Sequence, residues 1–400
     1  MLFERFLRWT AAAPAPARAE AARALVAAYS DAGLDRQRAD GLDRMVAALL
    51  DDPCLSVRRA LSEAAARSLD VPRCVVVALA GDDATVAVPV LAASALLSEA
   101  DLVEAAAAGD DDAQMAIAGR SGVPQAVATA LADAGPRDVV LTLIRNPGAI
   151  VPSNVLRRIL ERFGDDAEIR EALLDHVHHD PALHHELVLA GTEALTRFAM
   201  ACDWLSPARA DNLRRESHDK GVVTIAARCR ASAGPAGPRA LVRHLRAHGR
   251  LTPALLLRAL LSGNGDLCEA ALAHLSGLEP ARAAGHMRAP DSLGFASLYA
   301  KAGLPPVLLP VFRAALSTLP SHGADRSALS REAVAAVLAA CLKADLPELA
   351  RVTALLRRLE AEALRDDVRL RVLDEPEPVR HAAAPDFSAV RPRLPLLRAA

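Results

Sequence analysis

The sequence predicts an all-α protein. Residues 1–230 read as an α-solenoid of helix pairs, 239–373 as a C-terminal helical domain, and 374–400 as a Pro-rich flexible tail. Three observations carry this reading. Alanine supplies 88 of the 400 residues, while aromatic residues make up only 3%. Alanine is the best helix former and a poor strand residue, and its small side chain lets helices approach closely. Segments of about ten to fifteen residues carry apolar positions at i, i+3, i+4 and i+7, divided by short Gly, Pro, Asp or Ser breaks. Helix starts also recur: Asp52 to Asp83 is 31 residues and Asp83 to Asp111 is 28. That period fits two helices per unit, the mark of an α-solenoid.

Taken in order, the N-terminal residues Leu2, Phe3, Phe6, Leu7 and Trp9 alternate with Arg5 and Arg8. They read as a capping helix that docks its aromatics on the first repeat, with a small membrane-surface anchor as the competing reading. Helix starts follow at Asp51-Asp52-Pro53, Gly81-Asp82-Asp83, Gly164-Asp165-Asp166 and, more weakly, Gly265-Asp266. In each an Asp is placed to cap the new helix while the next aliphatic residue enters the core. The β-branched runs Cys74–Val77 and Val139–Ile144 lack the alternation of strands and lie between helical patterns, so they read as buried helix. The segment from Arg230 to Pro238 is the best internal linker by composition. Beyond Asp374 the chain turns Pro-rich and loses periodicity.

Composition excludes several classes. A net charge of −2 argues against a generic polybasic nucleic-acid binder. With 24% charged and 52% hydrophobic residues, the chain is not globally disordered. The basic residues are 44 Arg and 3 Lys, which we read as coding bias. The six cysteines form no CxxC pair and read as scattered buried thiols in a reducing compartment. Glu4, Arg5 and Arg8 interrupt any secretory signal core, and no apolar run approaches membrane-spanning length. A soluble cytoplasmic protein is expected.

The element Asp51-Asp52-Pro53 with Val57-Arg58 and Leu61 resembles the signature of HEAT-type repeats. The array as a whole resembles an alphaproteobacterial helical-repeat family, domain of unknown function 2336. The resembling stretches are Leu49–Leu61, Pro89–Leu91 with Leu96–Val103, Arg145–Ala149, and Ala270–Ala315 with Lys301-Ala302-Gly303-Leu304-Pro305. The resemblance implies a helical-repeat fold and brings no established activity. A His-rich inter-helix segment is its one noted departure.

That segment, Asp175 to Glu186, holds five of the 12 histidines. Imidazole and carboxylate are first-row metal ligands, which makes His178, His179 and His184 candidate metal ligands. The competing reading is a solvated turn, because Pro181 starts a new helix and no fixed-spacing signature such as HExxH is present. His244 and His248 share a helix face, but neighbouring arginines favour a basic exposed surface there. No phosphate loop, nucleophile elbow or Cys–His arrangement marks a catalytic centre. No catalytic residue and no cofactor are therefore assigned.

Charge order is the most informative feature. From Cys74 to Gly119 there are eight acids and no Lys or Arg; from Lys220 to Gly265 there are eight bases and no acid. In a solenoid each block forms its own patch. The candidate partner-binding residues are Asp110, Asp111 and Asp112 in the acidic block, and Arg239, Arg243, Arg246 and Arg250 along one helical face of the basic block. The expected function is a non-enzymatic protein-binding scaffold or adaptor, whose partner is another protein or a second copy of the chain. The alternative is a helical-repeat enzyme or nucleic-acid-binding protein of the HEAT-like DNA glycosylase type.

Overall fold

The structure, a computed structural model, describes residues 2–30, 36–176, 180–319, 328–344 and 346–374. Among these residues there are 22 α-helices and no strand, only an isolated parallel bridge between Val123 and Ala149. The chain divides into two compact units, Met1–Ala240 and Leu241–Ala400.

The first unit opens with α1 (Leu2–Ala12), α2 (Ala15–Ala28), α3 (Arg36–Leu50), α4 (Leu55–Ala65) and α5 (Arg73–Ala80). It continues through α6 (Ala84–Ala93), α7 (Glu99–Ala108), α8 (Asp111–Ala118), α9 (Gln125–Ala134) and α10 (Arg137–Arg145). The last members are α11 (Ser153–Phe163), α12 (Ala167–Leu174), and the long hairpin of α13 (Pro181–Ala201) and α14 (Pro207–Ala233). Each even helix from α2 to α12 packs on the even helix two along. The odd helices do likewise from α1 to α5 and again from α7 to α13. A single core runs between these two series, with Val57, Leu61, Leu79, Leu91, Ile117, Leu131, Leu143 and Ile159 all fully buried. Interleaved alanines such as Ala65, Ala106 and Ala128, also fully buried, keep the helix axes close.

Capping follows the expected chemistry at several starts. Asp83, Asp110, Asp166 and Asp180 each accept backbone N–H groups from the first turn of the following helix, and Ser98 with Asp101 forms a capping box on α7. Two expected caps are corrected. Cys54, not Asp52, is the residue that precedes α4, and Asn264, not Asp266, caps α17 (Gly265–Ser276). The β-branched runs are helices, as read: α5 buries Val75 and Val76, and α10 buries Val139, Val140, Leu143 and Ile144. In α1, Phe3 and Phe6 pack against the core and the helix lies on α3, while Leu7 and Trp9 stay part-exposed.

The expected linker is a tight turn instead. Helix α14 runs to Ala233, Gly234 turns the chain at φ +58°, and α15 (Ala236–Ala247) starts two residues later. A Cβ on Gly237 would stand 2.6 Å from the Cys229 carbonyl oxygen, so glycine there permits close helix approach rather than flexibility. The unit boundary falls inside α15, after Ala240.

The second unit continues with α16 (Pro253–Leu261), α17, α18 (Pro280–Met287), α19 (Leu293–Lys301), α20 (Leu309–Ser317), α21 (Arg331–Ala344) and α22 (Ala350–Asp374). Its core centres on Phe295, Tyr299 and Phe312, with the Tyr299 and Phe312 rings edge-to-face at 5.3 Å. The Tyr299 hydroxyl donates to the Pro305 carbonyl at 3.0 Å, which fixes the Gly303-Leu304-Pro305 turn. Burial pushes the nearby Cys268 thiol up to about 12. Of the Pro-rich tail, Asp374 ends α22 and the remainder lies outside the described residues.

Candidate interaction surface

Several arginines of the first unit bind a carboxylate of the helix two places along. Arg18 on α2 grips Asp52 with two parallel bonds, Nε to Oδ2 at 2.7 Å and Nη2 to Oδ1 at 3.0 Å, while Nη1 donates to the Ala13 carbonyl. Arg58 on α4 repeats that geometry on Asp82, at 2.6 Å and 2.9 Å, with Nη1 on the Asp52 carbonyl. Both are the fourth residue of their helix, as is Arg170 of α12, whose Nη1 reaches the Gly164 carbonyl. Variant rungs join Arg73 to Asp101, Arg137 to Asp166 and Glu168, and Arg157 to Asp180. The partners lie 23 to 34 residues apart in sequence. Forked guanidinium–carboxylate pairs of this kind are the strong form of ion pair.

The rungs set the carboxylate chemistry. The Arg58 guanidinium holds Asp82 below its usual range, and Arg137 does the same for Asp166 and Glu168. At Asp52 burial pushes the carboxyl up, but the bonds from Arg18 and the Cys54 amide outweigh it and leave it lowered.

A second ladder closes helix C-termini. Arg120 donates to the Leu91 and Ser94 carbonyls at the end of α6, 29 and 26 residues upstream. Asn146 donates to the Ala118 and Arg120 carbonyls at the end of α8, both at 2.7 Å. His176 Nε2 meets the Ile144 carbonyl at the end of α10, and Arg162 reaches Ala132 and Gly135 after α9. Side chains from later helices thus satisfy carbonyls that the ends of earlier helices leave open. Sequence reasoning missed this ladder, although polar residues just after helix ends at one-repeat spacing were its signal.

What the ladders leave over defines the exposed charge. Of the acidic block, Asp82 and Asp101 are engaged by Arg58 and Arg73, from outside the block. Asp83, Glu99, Glu104, Asp110, Asp111 and Asp112 remain exposed. Asp110 also caps α8 through the Ala113 amide at 2.8 Å. In the basic block, Arg258 leaves the expected patch: it is 5% exposed and forks onto Glu362 of α22, 104 residues away. Arg239, Arg243 and Arg246 on α15, with Arg250 just beyond, are all exposed. Arg246 makes one long bond to the His274 carbonyl at 3.4 Å.

The histidines separate. His178 and His179 lie outside the described residues, and His184 is half-buried on α13. Its neighbour His185 is buried edge-to-face against His218 of α14, ring centroids 5.1 Å apart, and Asp219 pairs with His218 Nδ1 at 2.9 Å. His176 serves the carbonyl ladder. Of the three predicted metal ligands, only His184 is among the described residues. His244 on α15 and His248, one residue past its end, lie side by side with ring centroids 4.4 Å apart and planes tilted at 42°.

The hairpin supplies a feature that the sequence reading passed over. Leu195, Phe198 and Trp204 are 69%, 59% and 71% exposed beside the α13–α14 turn, with Phe198 and Trp204 edge-to-face at 5.7 Å. Asp203, at φ +57°, holds that turn in a conformation few non-glycine residues adopt.

These elements belong to a recognised class of bacterial chains. A family model described as an uncharacterised protein conserved in bacteria, DUF2336, matches residues 86–346, and the chain belongs to that family. The match takes in the acidic helices α7 and α8, the hairpin and the arginine face of α15. No curated protein and no solved structure matches the chain. No helix among the described residues is long and apolar enough to cross a membrane.

Proposed function

We propose that the first unit is a HEAT-like α-solenoid and that the protein is a non-enzymatic scaffold or adaptor that binds another protein. The observation that supports this best is how the polar side chains are spent. The strongest ion pairs and carbonyl contacts run from one repeat to the next, a structural use rather than a reactive one. What is left exposed suits recognition: an acidic face at α6–α8, an arginine face on α15, and an apolar hairpin turn at Leu195, Phe198 and Trp204. Exposed aromatics and arginines are the side chains that anchor protein interfaces.

Crosslinked capture with the full chain as bait tests the reading. A stoichiometric protein partner, lost when Trp204→Ala is combined with Phe198→Ala, is the expected result. Binding to DNA or RNA in place of any protein, abolished by Arg243→Glu, would instead favour a nucleic-acid protein of the glycosylase type.

A further inference from the structure

We infer that the arginine face of α15 docks on the acidic face of a second copy of this chain, at the N-terminal ends of α6 and α8. The inference rests on the protein-binding reading above and concerns the charged faces alone, not the hairpin turn.

The rungs of the first unit supply the argument. Asp52, Asp82, Asp101, Asp166 and Asp180 stand at or just before helix starts, and each is met by an arginine from the helix two earlier. Helix α8 breaks the rule. The fourth residue of α6, where α2 and α4 carry Arg18 and Arg58, is Ala87, and no base occurs anywhere from Cys74 to Gly119. Asp110, Asp111 and Asp112 therefore face solvent at a helix N-terminus whose repeat elsewhere carries a guanidinium. Asp83, exposed at the start of the neighbouring helix of the same layer, extends the face by one helix spacing, about 10 Å.

The basic face has the complementary defect. Arg239, Arg243 and Arg246 follow one another at four and three residues on α15, a row about 10 Å long, and Arg250 stands just past the Gly249 turn that ends the helix. No acid occurs from Lys220 to Gly265 to neutralise them, and like charges at these spacings repel. Among the described residues no carboxylate pairs with them. One face lacks arginines where its own repeat places them, and the other presents a row of arginines without carboxylates. A second copy satisfies both from a single contact, with different patches meeting on the two molecules. A nucleic acid would satisfy the arginines alone and leave the acidic face bare, in a chain whose net charge is −2.

The test is the mass of the full chain in solution, by analytical ultracentrifugation at about 0.05 M and about 0.5 M salt. Four samples are compared: wild type, Arg243→Glu/Arg246→Glu, Asp111→Lys/Asp112→Lys, and the two variants mixed. Asp110 is left in place because it caps α8. Wild type should associate at low salt and weaken at least about tenfold at high salt, since screening acts over about 8 Å at physiological ionic strength. Each variant alone should be monomeric, because it keeps only one of the two complementary faces. The mixture should associate again, a rescue that misfolded variants cannot give. A monomeric wild type at low salt, or variants that associate as wild type does, overturns the inference. DNA binding lost in the arginine variant and kept in the aspartate variant, with all samples monomeric, also overturns it in favour of nucleic acid. If the chain is monomeric yet crosslinking still captures a stoichiometric partner, this inference fails while the adaptor reading stands; if neither occurs, both fail.

Discussion

At the scale of single residues, the sharpest constraint sits in the turn after α10. A Cβ on Gly148 would stand 2.0 Å from the Ser121 carbonyl oxygen and 2.8 Å from its carbon, both backbone atoms that cannot swing away. The same turn is pinned by Val123 N–H on the Gly148 carbonyl, by Ile150 N–H on the Val123 carbonyl, and by Asn146, which donates to two carbonyls and accepts from the Gly148 amide. Gly148→Ala must push the two loops apart and should cost about 1–3 kcal/mol, as overpacking does. Gly122→Ala, in the facing loop, meets nothing within 4 Å and should stay within about 0.5 kcal/mol of wild type. Urea unfolding of the two variants makes the comparison, and equal losses would show that the turn is not held as described. The stretch Arg145–Ala149 drew notice in the sequence as part of a family pattern. Its mechanism was not legible there, because the atoms that demand glycine belong to Ser121, far upstream in the sequence.

At the scale of elements, the arginine rungs make stability depend on pH. Asp82, Asp166 and Glu168 are held below the ordinary carboxylate range by their guanidinium partners. A carboxylate with a lowered folded-state value contributes stability above its unfolded value, near pH 4, and that contribution is lost as the pH falls through the folded-state value. Wild type should therefore lose melting temperature steeply between about pH 5 and about pH 2. Arg58→Met removes the rung to Asp82, so it should melt lower than wild type at neutral pH and show a shallower acid decline. Thermal melts followed by circular dichroism across that range decide it; parallel curves for the two proteins would mean the rung contributes nothing. Helices themselves were legible, down to the β-branched runs of α5 and α10, since periodicity and capping are local signals. The roles of charged residues were legible only where the partner is local: Asp83 and Asp166 are caps as read, whereas Asp52 serves Arg18, 34 residues upstream. The expected linker failed for a similar reason. Gly234 and Gly237 satisfy a left-handed turn and a close contact with Cys229, which composition alone cannot distinguish from flexibility.

At the scale of the whole molecule, the two units are held together internally by different kinds of contact. In the first, helices pack on neighbours one or two places along the chain, and the ladders join residues such as Arg120 and Leu91, 29 apart, and Asn146 and Ala118, 28 apart. In the second, the buried Arg258–Glu362 pair ties α16 to α22 across 104 residues. The all-α class was legible from alanine content and period, but Arg258 was read as part of a surface patch because its partner is so distant in sequence. Near-neighbour packing means that a lesion should weaken the first unit most where it is made, since its helices pack mainly on helices one or two places along the chain. Hydrogen exchange on Gly148→Ala should accordingly rise most in α8 to α11 and least in α2 to α4. Glu362→Ala strands a buried guanidinium, a loss on the order of 3 kcal/mol, and should raise exchange in α16 and α22 together despite their separation in sequence. The graded pattern is the decisive part. A uniform rise from α2 to α13 in Gly148→Ala would mean that the first unit unfolds as one cooperative body, and the repeat-by-repeat account of its stability would be wrong.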